Sequence, residues 1–497
     1  MFTKLLIANR GEIALRILRT CRQMGIYTVT LYDAADRDSL HVRLADEAIH
    51  LDSPADFVEI PKMIRLAQEN GVDAIHPGYG FLAERADFAR ACRDAGLVFV
   101  GPSPELLDEL SCKVPVLQKV REAGIPTVEF SPHVFQPGDE DDLREEAARM
   151  GFPVVIKSCA GGRGRGARFV RTPAGLPEAV RWAQREARTV YGDQSLYLEK
   201  AIEDVHQINV PILADNQGTL LHLGEREGSL QYSNRKVLEE SPSPHLTNTV
   251  FSQTNRAILW QTALAVARLF GLQNAGAVEF LVDQTGNFYF SEIKARLHTE
   301  HPLTEMCTGV DIVREQIRLA AGEPLALKQA DVLPKGWAML ARVRAVDPWQ
   351  DFLPSPGRLT QTRLPDGMGV RVDTYIYPGC NVPGDYDPLI AKICVWGDDR
   401  AECLGRLSVA LEEMKLSGIP TNLPLIQRVA RTEAFRDGLY TTSFLDDPLP
   451  NGIEYRTLRD MAATAALLYV RRRQTFTPST PARLESGWHK HSRRLPE

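Results

Sequence analysis

The chain is predicted to be an α/β protein with three successive domains and a tail. Its opening segment alternates strand and helix, a later strand leads into a glycine-rich segment, and a hairpin with one glutamate on each strand lies past the middle. With 497 residues the chain exceeds one ordinary hydrophobic core, so several domains are expected. A content of 44% apolar and 25% charged residues is typical of a folded globular protein.

Charge and hydropathy exclude several classes of partner. The net charge of -6 gives no overall attraction to nucleic acid or to an anionic membrane. The longest nearly apolar run, residues 461–470, is too short to span a bilayer, and residues 1–4 lead into a strand without a signal-peptide pattern. A cytoplasmic protein is therefore expected. The eight cysteines include no pair at metal-binding spacing, so buried thiols are favoured, with neither a disulfide nor zinc.

Residues 1–112 are predicted to form a parallel wound α/β domain. The first strand covers residues 4–9, and apolar residues between Ile13 and Met24 then recur at helical spacing. The same alternation continues with strands at 26–32, 74–75 and 97–100 and helices at 59–68 and 84–94.

The ligand edge of this domain is expected at the carboxyl ends of its strands. Asn9 and the loop of residues 76–81 follow those ends. Gly78 and Gly80 in the loop fit tight backbone turns and ordinary loop positions equally well.

Residues 113–330 are predicted to form a central domain in which a glycine-rich flap covers a mixed sheet. The flap follows the strand at 154–157, and its glycines would let backbone N–H groups approach phosphate closely: Gly161, Gly162, Gly164 and Gly166. Lys157 and Lys113 are cations that can pair with phosphates. A surface hairpin and solvated lysines are the alternative interpretation.

The hairpin of the central domain indicates a site for magnesium and nucleotide. Its strands are predicted at 277–283 and 287–293. Strict alternation places Phe288, Phe290, Glu292, Lys294 and Arg296 on one face, with Ala277, Glu279 and Leu281 on the facing side of the partner strand. Two carboxylates on one face are the oxygen ligands that a hard cation prefers. A solvated acidic hairpin is the alternative.

Residues 331–446 are predicted to form a C-terminal α+β domain. Its strands are expected at 338–343, 370–377 and 390–396, with a helix at 400–415. Residues 447–497 then give a linker, a helix at 458–473 and a basic tail. The tail fits a docking segment or a solvated end.

Six motifs, in order, resemble those of one known family. They are residues 7–14, 34–38, 76–84, 101–104, 199–200 and 352–357. Together they closely resemble the biotin carboxylase subunits of biotin-dependent carboxylases, which belong to the ATP-grasp superfamily. The resemblance covers about residues 3–446. It implies an ATP-dependent ligase in which ATP and Mg²⁺, or Mn²⁺, activate bicarbonate as carboxyphosphate for the carboxylation of biotin.

The resemblance also implies a role for each matching residue. The residues that match the bicarbonate and biotin pocket are Lys236, Arg296, Glu300 and Arg342. Glu279 and Glu292 match two metal ligands. The residues that match nucleotide contacts, besides the flap glycines, are Lys113, Lys157, Glu199, Lys200, His206 and Gln231. Judged without the family, Arg296, Glu300 and Arg342 also fit a structural ion-pair network.

This chain departs from the family pattern at the chemistry rather than the scaffold. Where the family has asparagine two positions after the second metal-binding glutamate, this chain has Lys294, whose ammonium has no lone pair for a metal. Before the catalytic glutamate, the family's glutamine and valine are here His298 and Thr299. Asn234 and Arg235 replace a histidine and a glutamine expected near the nucleotide.

In the strand after His206, the family's acid and glutamine are matched to Ile208 and Val210. These changes leave three hypotheses. The first is the biotin carboxylase component of a multi-subunit carboxylase. The second is a non-catalytic, nucleotide-binding paralogue that has a regulatory or assembly role, and the third is an ATP-grasp ligase with another acceptor. Fold alone does not decide between them.

The resemblance further implies protein partners. No segment has the biotin-accepting pattern, a lysine between two methionines in a small β domain, so biotin is expected on a separate carrier protein. A carboxyltransferase is implied as a second partner, and a homodimer is expected.

Overall fold

The computed structural model describes residues 1–160, 167–232, 235–247, 253–446 and 455–475. The flap glycines Gly161, Gly162, Gly164 and Gly166 lie outside the described residues, as do Asn234 and the end of the basic tail. Residues 1–447 form one compact unit. The helix Tyr455–Thr475 belongs to a second unit. Within the described residues, no helix has the length and apolar character needed to cross a membrane.

A parallel sheet opens the fold, as predicted, with four predicted strands and a fifth, at Glu47–His50, that the sequence did not indicate. The elements are β1 (Lys4–Ile7), α1 (Gly11–Gln23), β2 (Tyr27–Tyr32), α2 (Leu40–Leu44), β3 (Glu47–His50), α3 (Ile60–Glu69), β4 (Ala74–His76), α4 (Ala86–Asp94) and β5 (Val98–Phe99). The strands pair in the order β3-β2-β1-β4-β5. Leu5 and Ile7 pack into one core and Leu6 into another, so both faces of the sheet are covered, as parallel sheets require.

The loop after β4 closes against the end of β1. The Asn9 side chain donates hydrogen bonds to the carbonyl oxygens of Pro77 and Tyr79, at 2.7 and 2.9 Å. Gly78 has a φ of +62°, and a Cβ there would lie 3.0 Å from Asn9 Nδ2. Gly78 therefore serves a tight backbone turn rather than an ordinary loop position.

The central region begins with helices and a small antiparallel sheet. Its elements are α5 (Pro104–Glu109), α6 (Lys113–Glu122), α7 (Glu140–Met150), β6 (Val154–Ser158), β7 (Arg168–Val170), α8 (Leu176–Tyr191) and β8 (Leu196–Lys200). The strands pair in the order β7-β6-β8. The predicted strand at 154–157 is confirmed as β6.

A large antiparallel sheet follows. Its region contains β9 (His206–Ala214), β10 (Leu220–His222), β11 (Arg226–Glu227), β12 (Gln231–Tyr232), β13 (Arg235–Lys236), β14 (Leu238–Ser241), α9 (Pro244–Thr247), α10 (Gln253–Leu269), β15 (Asn274–Val282), β16 (Phe288–Lys294), α11 (His301–Thr308) and α12 (Ile312–Ala320).

The remaining elements follow in chain order. They are β17 (Trp337–Arg344), β18 (Val346–Asp347), β19 (Leu353–Pro354), β20 (Gly357–Arg358), β21 (Gln361–Arg363), β22 (Val370–Thr374), β23 (Asn381–Val382), β24 (Leu389–Gly397), α13 (Arg400–Glu413), β25 (Lys415–Ser417), α14 (Leu423–Val429), α15 (Glu433–Asp437) and, in the second unit, α16 (Tyr455–Thr475). The large sheet has the order β16-β15-β9-β11-β14-β17-β24-β22, with β10 beside β9. The large sheet runs across residues 330–331, the predicted boundary between the second and third domains, because β14 pairs with β17.

A bulge in the β15–β16 hairpin changes the faces that strict alternation predicts. Glu279 lies opposite Glu292, but Phe280 lies opposite Phe290, so Ser291 is an extra residue. Phe290 therefore points into the core with Phe280, whereas Glu292 shares the other face with Glu279. The prediction that Phe290 and Glu292 share a face is wrong, because period-two counting does not hold across a bulge.

A fully buried lysine connects the first helix with the large sheet. Lys392 on β24 has no exposed surface, and its Nζ lies 2.9 Å from a carboxylate oxygen of Glu12 on α1. The same ammonium donates to the carbonyl oxygen of Thr299 at 3.2 Å. The N-terminal region is thus bonded to the segment that precedes Glu300.

The prediction that the chain has no disulfide is wrong. Cys112 and Cys159 form a disulfide with their Cα atoms 5.3 Å apart, although 47 positions separate them in the sequence. The backbone N–H of Lys113 donates to the Cys159 carbonyl at 3.2 Å, which holds the start of α6 beside the end of β6. Such a pair depends on tertiary contacts, so close spacing could not reveal it.

Replacing both cysteines, as C112S/C159S, is expected to lower the free energy of unfolding by about 2–4 kcal/mol under oxidising conditions, because the unfolded chain loses a closed loop. Denaturant unfolding with and without reductant provides the measurement. Reductant should destabilise the wild type and leave the double variant unchanged. An equal response of both proteins would contradict the disulfide, as would failure of peptide mapping to find the linked peptides.

Candidate active site

One face of the large sheet carries the polar residues of the site, as strand β9 shows. Ile208 and Val210 are fully buried in the core. Gln207 and Asn209 alternate to the other face, where Gln207 Nε2 donates to Glu279 at 3.0 Å and Asn209 Nδ2 donates to Glu300 at 3.3 Å. The predicted match of the family's acid and glutamine to Ile208 and Val210 is therefore wrong. The side-chain amides of Gln207 and Asn209 face the site instead.

His206, expected to contact the nucleotide, lies on the core face of β9. Its ring stacks on His245 with the centroids 3.8 Å apart, and its Nδ1 is 3.2 Å from a carboxylate oxygen of Glu227. The structure therefore does not bring His206 to the glutamate pair. The neighbouring Gln207 contacts Glu279 instead. Because successive residues of a strand point to opposite faces, an error of one position in the match places the wrong side chain in the site.

Glu300 lies at the centre of a buried ion network. Lys236 Nζ and Arg342 NH2 each lie 2.8 Å from one of its carboxylate oxygens. Glu239 contacts the same two cations, at 3.2 Å and 2.6 Å. Burial favours the neutral acid, but Lys236 and Arg342 outweigh it and hold the pKa of Glu300 well below its usual range. Glu300 is therefore ionised at neutral pH.

Three predicted catalytic residues thus come together, while Arg296 lies beside them. Its guanidinium is 3.2 Å from Glu84, in the segment before α4, and donates to its neighbour's carbonyl oxygen at Leu297. Burial lowers the pKa of Arg296, but Glu84 and Glu300 raise it by more. Glu239 was not identifiable as a partner of Lys236 from motifs, although it follows three positions later in the chain.

His298 and Arg226 form a second buried pair next to Glu300. The Arg226 guanidinium donates to His298 Nδ1 at 3.2 Å, which makes that nitrogen an acceptor. Burial lowers the pKa of His298 to about 4, so its imidazole is neutral at pH 7. Within the described residues, three buried atoms here have no hydrogen-bond partner: Asn209 Oδ1, Arg226 Nε and His298 Nε2. They supply hydrogen-bonding capacity for a polar ligand.

The predicted nucleotide-binding residues lie on β6, β8, α6 and β12. Lys157 Nζ is 2.5 Å from Glu199, which also accepts from the Tyr197 hydroxyl at 2.8 Å. Lys200 donates to the Gly151 carbonyl at 2.7 Å. Two further residues complete the set: Lys113 pairs with Glu292, and Gln231 lies opposite Lys236 in the β12–β13 pair. Both predicted phosphate-binding lysines are thus paired with carboxylates.

Glu279 and Glu292 are the residues that could hold a divalent ion. Lys294 lies between them, with its Nζ 2.6 Å from Glu279 Oε1 and 3.5 Å from Glu292 Oε2. Burial lowers the pKa of Lys294, but the two glutamates raise it by more, so the lysine stays charged. No set of three or more His, Cys, Asp or Glu side chains in the described part of the chain is arranged for a metal. With only two carboxylates, the pair could hold a divalent ion only together with phosphate oxygens and only if Lys294 moved out of the space between them.

Family models cover most of the chain. Residues 1–107 match the biotin carboxylase N-terminal domain, and residues 340–447 match the biotin carboxylase C-terminal domain. Residues 113–328 match the ATP-binding domain of the carbamoyl-phosphate synthase L chain. The chain belongs to the biotin carboxylase family. This confirms the resemblance and the ATP-grasp fold.

Biotin carboxylases are also among its similar relatives. The biotin carboxylase of a Nostoc strain is 44% identical over 449 residues, which is 90% of this chain and 99% of that protein. Biotin carboxylase 1 of Bacillus subtilis is 42% identical over 450 residues, covering 90% of this chain and 98% of that one.

Solved biotin carboxylase structures share the fold. The biotin carboxylase domain dimer of Hydrogenobacter thermophilus 2-oxoglutarate carboxylase, solved with MgADP, ADP and bicarbonate, gives a TM-score of 0.86 at 39% identity over 90% of this chain and 97% of that one. The Campylobacter jejuni biotin carboxylase complex with β,γ-ATP gives 0.85 at 36% identity, covering 90% and 99%.

The buried His298 should make this biotin carboxylase family member less stable in acid. Between pH 6.5 and pH 4 the unfolded chain binds a proton at this residue that the folded chain excludes, so the free energy of unfolding falls as the pH falls through that window. H298Q keeps an acceptor for Arg226 and cannot titrate. At pH 4 it should lose less stability than the wild type, by up to about 3 kcal/mol.

Denaturant unfolding between pH 7 and pH 4 measures this difference. H50Q, at a solvent-exposed histidine on β3, is the matched control and should follow the wild type. Identical pH profiles for H298Q and the wild type would show that His298 does not stay neutral.

Proposed function

We propose that this chain catalyses the ATP-dependent carboxylation of carrier-bound biotin with bicarbonate. One observation carries the proposal: Glu300 is held as a carboxylate by Lys236 and Arg342 on the same sheet face as the Glu279 and Glu292 pair. A buried carboxylate with two cations, close to a nucleotide site, is what activation of a small anion by a nucleotide requires.

Each residue of the network has a proposed role. Glu300 accepts the proton of bicarbonate, because it is ionised and buried. Arg342 and Lys236 hold bicarbonate and stabilise negative charge on the biotin enolate, together with Arg296. The amide of Asn209 and the imidazole of His298 line the same position and orient the bound anion.

The nucleotide site is proposed at the neighbouring small sheet. Lys113 and Lys157 would exchange their carboxylate partners for phosphates. Glu199 and Lys200 would hold the adenine, and Gln231 contacts the nucleotide near Lys236. A bound Mg²⁺ supplies positive charge to the phosphate oxygens.

The partners follow from the same proposal. We expect a separate biotin carrier protein and a carboxyltransferase, since the relatives that this chain covers over nearly their full length are named as biotin carboxylases. A homodimer is proposed because the similar Hydrogenobacter domain is a dimer. We also propose the division into residues 1–112, 113–330, 331–446 and a tail of residues 447–497.

Release of ADP from ATP by purified protein is expected to require both bicarbonate and biotin. E300Q should reduce this turnover about 100-fold or more, because the amide cannot accept the bicarbonate proton. E69Q, an exposed glutamate at the end of α3, is the matched control and should retain wild-type turnover. Nucleotide binding without any turnover would instead support the non-catalytic paralogue. Turnover that requires an acceptor other than biotin would support an ATP-grasp ligase with another acceptor.

Gly228 offers an independent test of Lys236. A Cβ at this position would lie 2.7 Å from Lys236 Nζ and 2.8 Å from its Cε. G228A should therefore fold normally, displace the flexible lysine from Glu300 and lower turnover about 10- to 100-fold. The control is G405A in α13, where a Cβ meets no atom within 4 Å. Full activity in G228A would contradict the role of Lys236.

A further inference from the structure

The ammonium of Lys294 occupies the space between the carboxylates of Glu279 and Glu292. It lies 2.6 Å from one oxygen of Glu279 and 3.5 Å from one oxygen of Glu292. The Lys294 side chain is only 15% exposed, and that of Glu279 is 2% exposed. This is a buried, closely bonded cation rather than a solvated surface lysine.

The other two oxygens of the glutamate pair also have donors. The second oxygen of Glu279 accepts from the Gln207 amide at 3.0 Å. The second oxygen of Glu292 accepts from the Lys113 ammonium. All four carboxylate oxygens therefore have a donor or a cation within the protein, and two positive charges balance two negative charges.

The backbone of the hairpin fixes Lys294 in this position. Lys294 lies opposite Ala277 and Glu292 lies opposite Glu279, so the lysine is two residues along the same face from one acid and diagonal to the other. Its carbonyl oxygen would be 2.6 Å from a Cβ at Gly276, so the absence of a side chain there allows the close approach. The long lysine stem then reaches both acids, which a shorter side chain could not do.

A divalent ion and Lys294 cannot share this space. An ammonium has no lone pair to donate to a metal, and a divalent ion added between the acids would bring excess positive charge beside it. Mg²⁺ moreover requires six oxygen ligands at about 2.1 Å, a distance shorter than the ammonium contacts seen here.

We propose that Lys294 is a built-in cation that replaces one divalent ion between Glu279 and Glu292, so that this chain binds only the divalent ion that the nucleotide brings. The inference rests on the proposed function for the identity of the nucleotide. The occupation of the glutamate pair by Lys294 holds whether or not bicarbonate and biotin are turned over.

Counting bound Mn²⁺ tests the proposal directly. Mn²⁺ is titrated into the full-length protein with and without ADP, and the free ion is followed by electron paramagnetic resonance. Wild type should bind one Mn²⁺ per chain with ADP and none without it. K294N should bind one more ion in each condition, at least about tenfold more tightly than the wild type.

Three variants separate charge from shape. K294M removes the ammonium and keeps the length, and should gain the ion; K294R keeps the charge and should not. K328N is an exposed lysine changed in the same way and should match the wild type. Thermal unfolding confirms that each variant is folded.

Equal ion counts in wild type and K294N, with both folded, would overturn the proposal, as would an extra ion in K294R. Failure of the proposed function gives a different result. Turnover that does not depend on bicarbonate and biotin would leave the difference in Mn²⁺ count between wild type and K294N intact.

Discussion

Charge compensation on one face of the large sheet is the constraint on which the site depends. Glu239, Glu279 and Glu300 are all nearly inaccessible to solvent. An isolated carboxylate in such a place would take up a proton or destabilise the fold. Their cations come from three different strands, with Lys236 on β13, Lys294 on β16 and Arg342 on β17. These side chains converge only once the chain has folded, so folding assembles both signs of charge at once, and the same balance keeps Glu300 ionised.

Much of this arrangement could be predicted from the sequence, because it depends on local patterns. The parallel opening domain and the acidic hairpin follow from periodicity, whereas the set of Lys236, Glu300 and Arg342 was implied only by the resemblance to the family. The parts that could not be predicted depend on register or on contacts between distant segments. A single bulge at Ser291 separates Phe290 from Glu292, and one position along β9 separates His206 from Gln207. Arg226, Asn209 and the Cys112–Cys159 disulfide become neighbours of the site only after the sheets form.

The two main departures from the family pattern, His298 and Lys294, have different effects on the local charge. At neutral pH, burial leaves His298 uncharged, so it changes the geometry of hydrogen bonding beside Glu300 and leaves the local charge as it was. Lys294 alters the charge itself, since it stays protonated between two acids. Under the proposed function, the substitution at Lys294 affects the proposed nucleotide site, whereas Lys236, Arg296 and Arg342 of the proposed bicarbonate site are kept.

The bond from Lys392 to Glu12 has an evolutionary consequence. Lys392 has no access to solvent and donates to the Thr299 carbonyl, next to Glu300. Losing Glu12 would remove the nearer of the two carboxylates beside Lys392, since Asp373 is 3.9 Å away, and losing Lys392 would leave Glu12 as a buried acid without its cation. A change at position 12 or 392 is therefore expected to disturb the contact between α1 and the segment that precedes Glu300. Chimeras that exchange the opening domain between relatives should therefore carry a matching pair at positions 12 and 392. A mismatched pair would disturb the segment that precedes Glu300, which lies outside the exchanged domain.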